Sequence, residues 1–115
     1  MPRQSRGRGQ DLRGRCPRLL GSSGDVARVG GITPWLKVAH LAEAFNVAVC
    51  PHFLMELHVS LVAAVPNGHY VEHIPQLRAV TAGELEIARG HALAPETAGL
   101  GIDWDRDAIE DRVVA

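Results

Sequence analysis

Three polar residues stand out by type and spacing: Asp25, His52 and Glu72, separated by 27 and 20 residues. An imidazole beside a carboxylate is the arrangement that orients a general base and raises its basicity. His52 is the most conspicuous of them. It sits in "VAVCPHFLMELH", residues 47 to 58, directly after an apolar run and Pro51, and before a helix-like stretch. Each of the three also has a plain structural role to set beside the chemical one. Asp25 could cap a turn, His52 could be a satisfied core histidine, and Glu72 could be a solvated strand-edge carboxylate. Glu56 reads as a first-turn charge at a helix N-terminus. A metal site is a further alternative, because His52, His58, His69, Glu72 and His73 are crowded in sequence. The signal for it is weak, since there is neither an HxxxH on a helix nor a Cys/His pair.

The elements needed to position these residues follow from periodicity. "DVARVGGI" alternates apolar and polar residues up to Gly30 and Gly31, which predicts a strand and a turn. Thr33 and Pro34 suggest an N-cap and a first-turn proline. Trp35, Val38, Ala39, Ala42 and Phe45 then recur at helical spacing through Asn46. "VAVC" is short and apolar, as in a strand covered on both faces. Leu54, Leu57, His58, Leu61 and Val65 mark a second helix, stopped by Pro66, Asn67 and Gly68, and "HYVEHI" predicts a third strand. Strand, helix, strand, helix, strand at short intervals is an α/β pattern with parallel strands. In such folds sites gather at the carboxyl ends of strands, so adjacent strands would bring Asp25, His52 and Glu72 to one rim. "GELEIARGHALAP", residues 83 to 95, predicts a hairpin about Arg89 and Gly90, and the chain closes with a turn and one helical turn.

Composition narrows the class. With 115 residues, 46% hydrophobic and 22% charged, the chain has the size and make-up of one soluble globular domain. No apolar run approaches the roughly 20 residues that span a bilayer, and the basic N-terminus lacks the apolar core of a secretory signal. Cys16 and Cys50 form no CxxC pair, so they suggest neither a disulfide framework nor a zinc site, and a reducing, cytoplasmic setting is the default. The net charge of −1 conceals a division. Residues 1–24 carry six arginines against Asp11, a balance of +5, whereas residues 25–115 have a balance of −6. The head is rich in Arg, Gly, Ser and Pro without apolar period, as disordered segments are. Arg-Gly tracts can bind RNA through phosphates, but this head has no aromatic residue to stack on a base, so a nucleic-acid-binding role is the lesser alternative.

Residues 25 to 110 resemble the C-terminal part of the mandelate racemase branch of the enolase superfamily, which includes many acid-sugar dehydratases. The resemblance rests on "DVARVGGITPWLKVAHLAEAF", "VAVCPHFLMELHVSLVAAVPNG", "YVEHIP" and "AGLGIDWD", in order and with the family's spacing. It implies an α/β fold: about strands 6 to 8 of a modified TIM barrel over residues 25–82, then a segment, 83–115, returning to a capping domain. The head, 1–24, would lie outside that fold. By the same resemblance His52 is the general base, held and made more basic by Asp25. Glu72, protonated, would donate a hydrogen bond to the substrate carboxylate, so that Glu72 and His52 both meet the substrate. A Mg²⁺ ion would hold that carboxylate, its ligands lying in upstream strands absent from this chain. The muconate-cycloisomerase branch places a lysine base on the sixth strand, and "DVARVGG" has none, which favours the His/Asp branch. The implied activity is dehydration of an aldonate or aldarate, with a racemase or epimerase of the same branch as the alternative. Full-length members are often homo-oligomers acting on sugar acids or other 2-hydroxy acids. Five of eight barrel strands are missing, so the expectation is a truncated, inactive piece of such an enzyme, or a non-functional remnant.

Overall fold

A computed structural model of the chain describes residues 24–114. The Arg-rich head expected over residues 1–24 therefore lies, but for Gly24, outside the described residues.

Residues 25 to 30 wind into a turn instead of the expected strand. The amides of Arg28 and Val29 both donate to the Asp25 carbonyl, at 3.1 and 3.0 Å, and Gly31 N donates to the Val26 carbonyl at 2.8 Å. The Asp25 side chain accepts the Ala27 N–H at 2.9 Å, the local bond by which an aspartate closes a turn. With its backbone groups satisfied locally, the segment has no call for a ladder.

Helix α1, Ile32–Ala44, follows directly. It buries Trp35, Ala39 and Ala42, the i, i+4, i+7 face expected from the sequence. Its N-cap is Gly31 at φ 113°, not Thr33, and no side chain caps it. That left-handed backbone suits a glycine and would strain any other residue. The indole N–H of Trp35 donates to the Gly24 carbonyl at 2.6 Å, which pins the start of the turn to the helix.

After Asn46, at φ 55°, the chain runs extended to Val49, which forms a single parallel bridge with Gly68. The bridge comprises Val49 N to Asn67 O at 2.9 Å and His69 N to Val49 O at 3.2 Å. Its position is secured by the Asn67 amide, which donates to Ala39 O at 3.0 Å and Val47 O at 2.9 Å. Gly68 is required by close approach: a Cβ there would lie 2.3 Å from the Val62 carbonyl oxygen. Helix α2, Met55–Ala64, buries Met55, His58, Val59 and Leu61 and ends before Pro66 as expected. Val26, Trp35, Ala39, Ala42, Val49, Leu61 and Val65 form one contiguous core that joins the turn, both helices and the bridged segment.

The remainder is tied more lightly. A 3₁₀ turn at Gln76–Val80 leads to a bridge between Thr81 and Trp104. Strands β1, Ile87–Ala88, and β2, His91–Ala92, make the expected hairpin, with Arg89 and Gly90 both at positive φ as a tight two-residue loop requires. Helix α3, Arg106–Glu110, is capped by the Asp105 carboxylate accepting Ala108 N–H at 2.9 Å. Among the described residues the β structure is thus one short hairpin and isolated bridges, so the three parallel strands expected over 25–82 do not form as ladders. A parallel strand draws its hydrogen bonds from neighbours on both sides, and here Val49 meets only Gly68. No helix among the described residues is long and apolar enough to cross a membrane.

Candidate active site

His52 emerges where the bridged segment ends, after the buried Pro51. Phe53 and Leu54, which follow it, adopt φ values of 68° and 30°. Two consecutive non-glycine residues in the left-handed region cost on the order of 1–3 kcal/mol each and persist only when surrounding bonds over-determine them. Those bonds are present. Glu72 Oε2 lies against His52 Nδ1 and also accepts the Phe53 N–H at 3.2 Å. The Phe53 carbonyl accepts from His58 Nδ1 at 2.7 Å. The amides of Leu57 and His58 return to the Leu54 carbonyl at 3.0 and 3.1 Å, so the sharp turn feeds straight into α2.

The side chains of His52 and Glu72 are 42% and 43% exposed, so a solute can reach the pair. A carboxylate on Nδ1 holds the ring in one orientation and leaves Nε2 as the nitrogen available for proton transfer.

The sequence placed Asp25 in that orienting role. Instead Asp25 is buried, and its carboxylate accepts the Ala27 amide and faces the guanidinium of Arg28 at 3.5 Å. The structure therefore brings Glu72 to His52 and does not join Asp25 to it. The physical reason is the turn at residues 25 to 30: its carboxylate is consumed at its own backbone.

His58 is the residue whose part was not foreseen. It is fully buried, its Nε2 accepts the Val26 N–H at 2.9 Å, and its ring lies 6.2 Å from that of Trp35. Because an amide must donate, Nε2 is unprotonated and Nδ1 carries the hydrogen given to Phe53 O. Burial pushes its imidazole below the ordinary value near 6.5, opposed by the Phe53 carbonyl and the Asp25 charge. The signal was its place on the apolar face with Leu54, Leu57 and Leu61, where a polar ring must find partners.

Among the described residues no three His, Cys, Asp or Glu side chains are grouped to hold a metal ion. The crowding of His52, His58, His69, Glu72 and His73 in sequence does not become a cluster in space: His58 is buried and His69 and His73 are exposed. The Asp25 and Glu72 carboxylates are already engaged by backbone N–H groups. These residues do not fit a Mg²⁺ site. A separate cleft of about 520 Å³, lined by Glu56, Glu84, Glu86, Leu93, Ile102 and Asp103 among others, includes neither His52 nor Glu72.

The chain is similar to proteins of known structure and activity. It is 37% identical over 84 residues to the L-talarate/galactarate dehydratase of Salmonella typhimurium, a match covering 73% of this chain and 21% of that protein. Among solved structures, the L-talarate dehydratase of a Polaromonas species, complexed with Mg and L-glucarate, is 44% identical with a TM-score of 0.70, over 75% of this chain and 24% of that one. An enolase from Bradyrhizobium, complexed with magnesium and mandelic acid, is 30% identical with a TM-score of 0.71, over 79% of this chain and 25% of that one. The chain thus spans about a fifth to a quarter of the length of these relatives. Residues 22–108 match the model of the enolase C-terminal domain-like family, and the chain belongs to that family.

Proposed function

We propose that this chain supplies the base-bearing part of an acid-sugar dehydratase, with His52 as the general base. The observation that carries the proposal is the exposed imidazole of His52 held through Nδ1 by Glu72 in a strained turn. The relatives' names supply the substrate class, a dicarboxylic sugar acid such as galactarate or talarate.

A proton on carbon next to a carboxylate is very weakly acidic, so its removal needs both a placed base and stabilisation of the added charge. His52 Nε2 would take that proton, and the C–H electron pair would pass into the carboxylate to give an enediolate. Collapse of the enediolate would expel the β-hydroxyl, which leaves as water with the proton returned by His52. Glu72 would keep Nε2 directed at the substrate. Asp25, buried in its own turn, would contribute negative charge and turn geometry. The Mg²⁺ found in the solved relatives would be held by residues other than those described, and its electrostatic contribution would come with them.

A racemase needs a second base on the opposite face of the substrate carbon. The relatives named above that act on sugar acids are dehydratases, which favours dehydration.

The test combines the 115-residue chain with a separately produced N-terminal portion of the Salmonella dehydratase, offered galactarate and Mg²⁺. The chain alone should give no turnover. The mixture should form the 2-keto product, and His52→Ala should lower its rate by roughly 10²–10⁴. Unchanged turnover in the His52→Ala mixture would overturn the assignment of the base. Deuterium exchange in D₂O without loss of water would instead identify a racemase.

A further inference from the structure

Two turns that are distant in sequence meet at one buried ring. The first, residues 25 to 30, carries Asp25. The second, residues 52 to 54, carries His52. His58 bonds to both, accepting from Val26 N at 2.9 Å through Nε2 and donating to Phe53 O at 2.7 Å through Nδ1. We infer that His58 is the positioning residue of the site: its imidazole, in the Nδ1–H form, holds the left-handed backbone beneath His52 and sets its spacing from the Asp25 turn.

The backbone shows why such a clamp is needed. Phe53 and Leu54 sit at φ 68° and 30°, conformations that an unrestrained chain would leave. Phe53 is held from both sides of its peptide group. Its N–H goes to Glu72, the residue that also orients His52, and its C=O goes to His58. Glu72 is half exposed, whereas His58 is fully buried with its ring beside that of Trp35. The buried bond is therefore the durable one. If the Phe53 carbonyl loses its donor, the turn relaxes toward negative φ, the Phe53 amide swings away from Glu72, and the His52 ring loses its fixed heading. His58 acts on chemistry only through Phe53 and His52 and touches no reacting atom.

This inference rests on His52 being the base, but its test does not depend on activity. The probe is the ¹⁵N-labelled 115-residue chain itself, observed by nuclear magnetic resonance at its imidazole nitrogens and by amide hydrogen exchange. In the unaltered chain His58 should display Nδ1–H with a bare Nε2, and the Val26 amide should be protected from exchange. An Nε2–H form in the unaltered chain would overturn the proposal without any variant.

Two near-isosteric substitutions then separate the two bonds. In His58→Asn the side-chain amide nitrogen takes the place of Nδ1 and can still donate to Phe53 O, while the Val26 N–H loses its acceptor. In His58→Gln the terminal group takes the place of Nε2 and can accept from Val26, while Phe53 O loses its donor. Asn should keep the His52 imidazole signals and Phe53 amide protection within about twofold of the unaltered chain, and Gln should lower that protection by at least tenfold. A residue that merely fills space would give equal changes in both variants, and that result would refute the clamp. In the reconstituted enzyme the same contrast should appear as a fall in kcat, with KM little changed, in Gln and not in Asn. If the amide contrast holds and turnover is insensitive to both, the clamp stands and the role of His52 as base does not.

Discussion

Glu72 Oε2 lies on His52 Nδ1 and takes the next amide, Phe53 N–H, at 3.2 Å. One carboxylate oxygen therefore fixes both the ring and the peptide that follows it. The ring cannot turn without disturbing the backbone, and the backbone cannot flip without releasing the ring. This coupling explains how a half-exposed histidine keeps a defined heading.

Glu72→Gln tests that coupling. The amide can still accept from Phe53 N, but it removes the charge that holds the Nδ1–H of His52. In the reconstituted enzyme kcat should fall by roughly 10²–10³, the size typical of one lost electrostatic contact in an active site. Steady-state kinetics with galactarate would measure it, and a change confined to KM would show that Glu72 only binds substrate.

The buried imidazole of His58 makes stability depend on pH. Burial lowers its value in the folded chain below the ordinary 6.5, so between the two values the unfolded chain binds more protons than the folded one. Stability from this group is therefore fully present above about pH 6.5 and is lost as pH falls from there toward the folded value. The slope approaches about 1.4 kcal/mol per pH unit within that window. Urea midpoints across pH 5 to 8 would check it, and His58→Asn should flatten the slope.

Gly68→Ala should be strongly destabilising. The new methyl would meet the Val62 carbonyl oxygen at 2.3 Å and Val62 Cγ1 at 2.9 Å, both on helix α2. Either the helix end or the Val49 bridge must shift, at a cost of about 3 kcal/mol. A lower urea midpoint with an unchanged m-value, together with faster exchange at the Val49 amide, is the expected result.

Asn67→Ala removes the amide that donates to both Ala39 O and Val47 O. The part-buried Val47 carbonyl loses its donor, and the Ala39 carbonyl, already bonded within α1, loses a second one, which costs on the order of 1–3 kcal/mol in total. Thermal unfolding should move down by several degrees. The helical circular-dichroism signal should be retained, because α1 and α2 keep their own bonds.

What the sequence determined by itself was local. The apolar stripe of Trp35, Ala39 and Ala42 specified α1, Pro66 ended α2, and Arg89 and Gly90 specified the hairpin loop, since each depends on a period or a backbone preference within a few residues. His52 and Glu72 were also legible as site candidates, because their spacing and flanking motifs carry the family resemblance. Only the tertiary structure decided how they are joined. It gave the orienting carboxylate to Glu72, spent Asp25 on its own turn, and set the ring of His58 between that turn and Phe53. Strand ladders likewise require partners distant in sequence, and Val49 meets only Gly68. The bonds of Glu72 to His52 and of His58 to Val26 join residues 20 and 32 positions apart, and no local pattern encodes which donor reaches which acceptor over that separation.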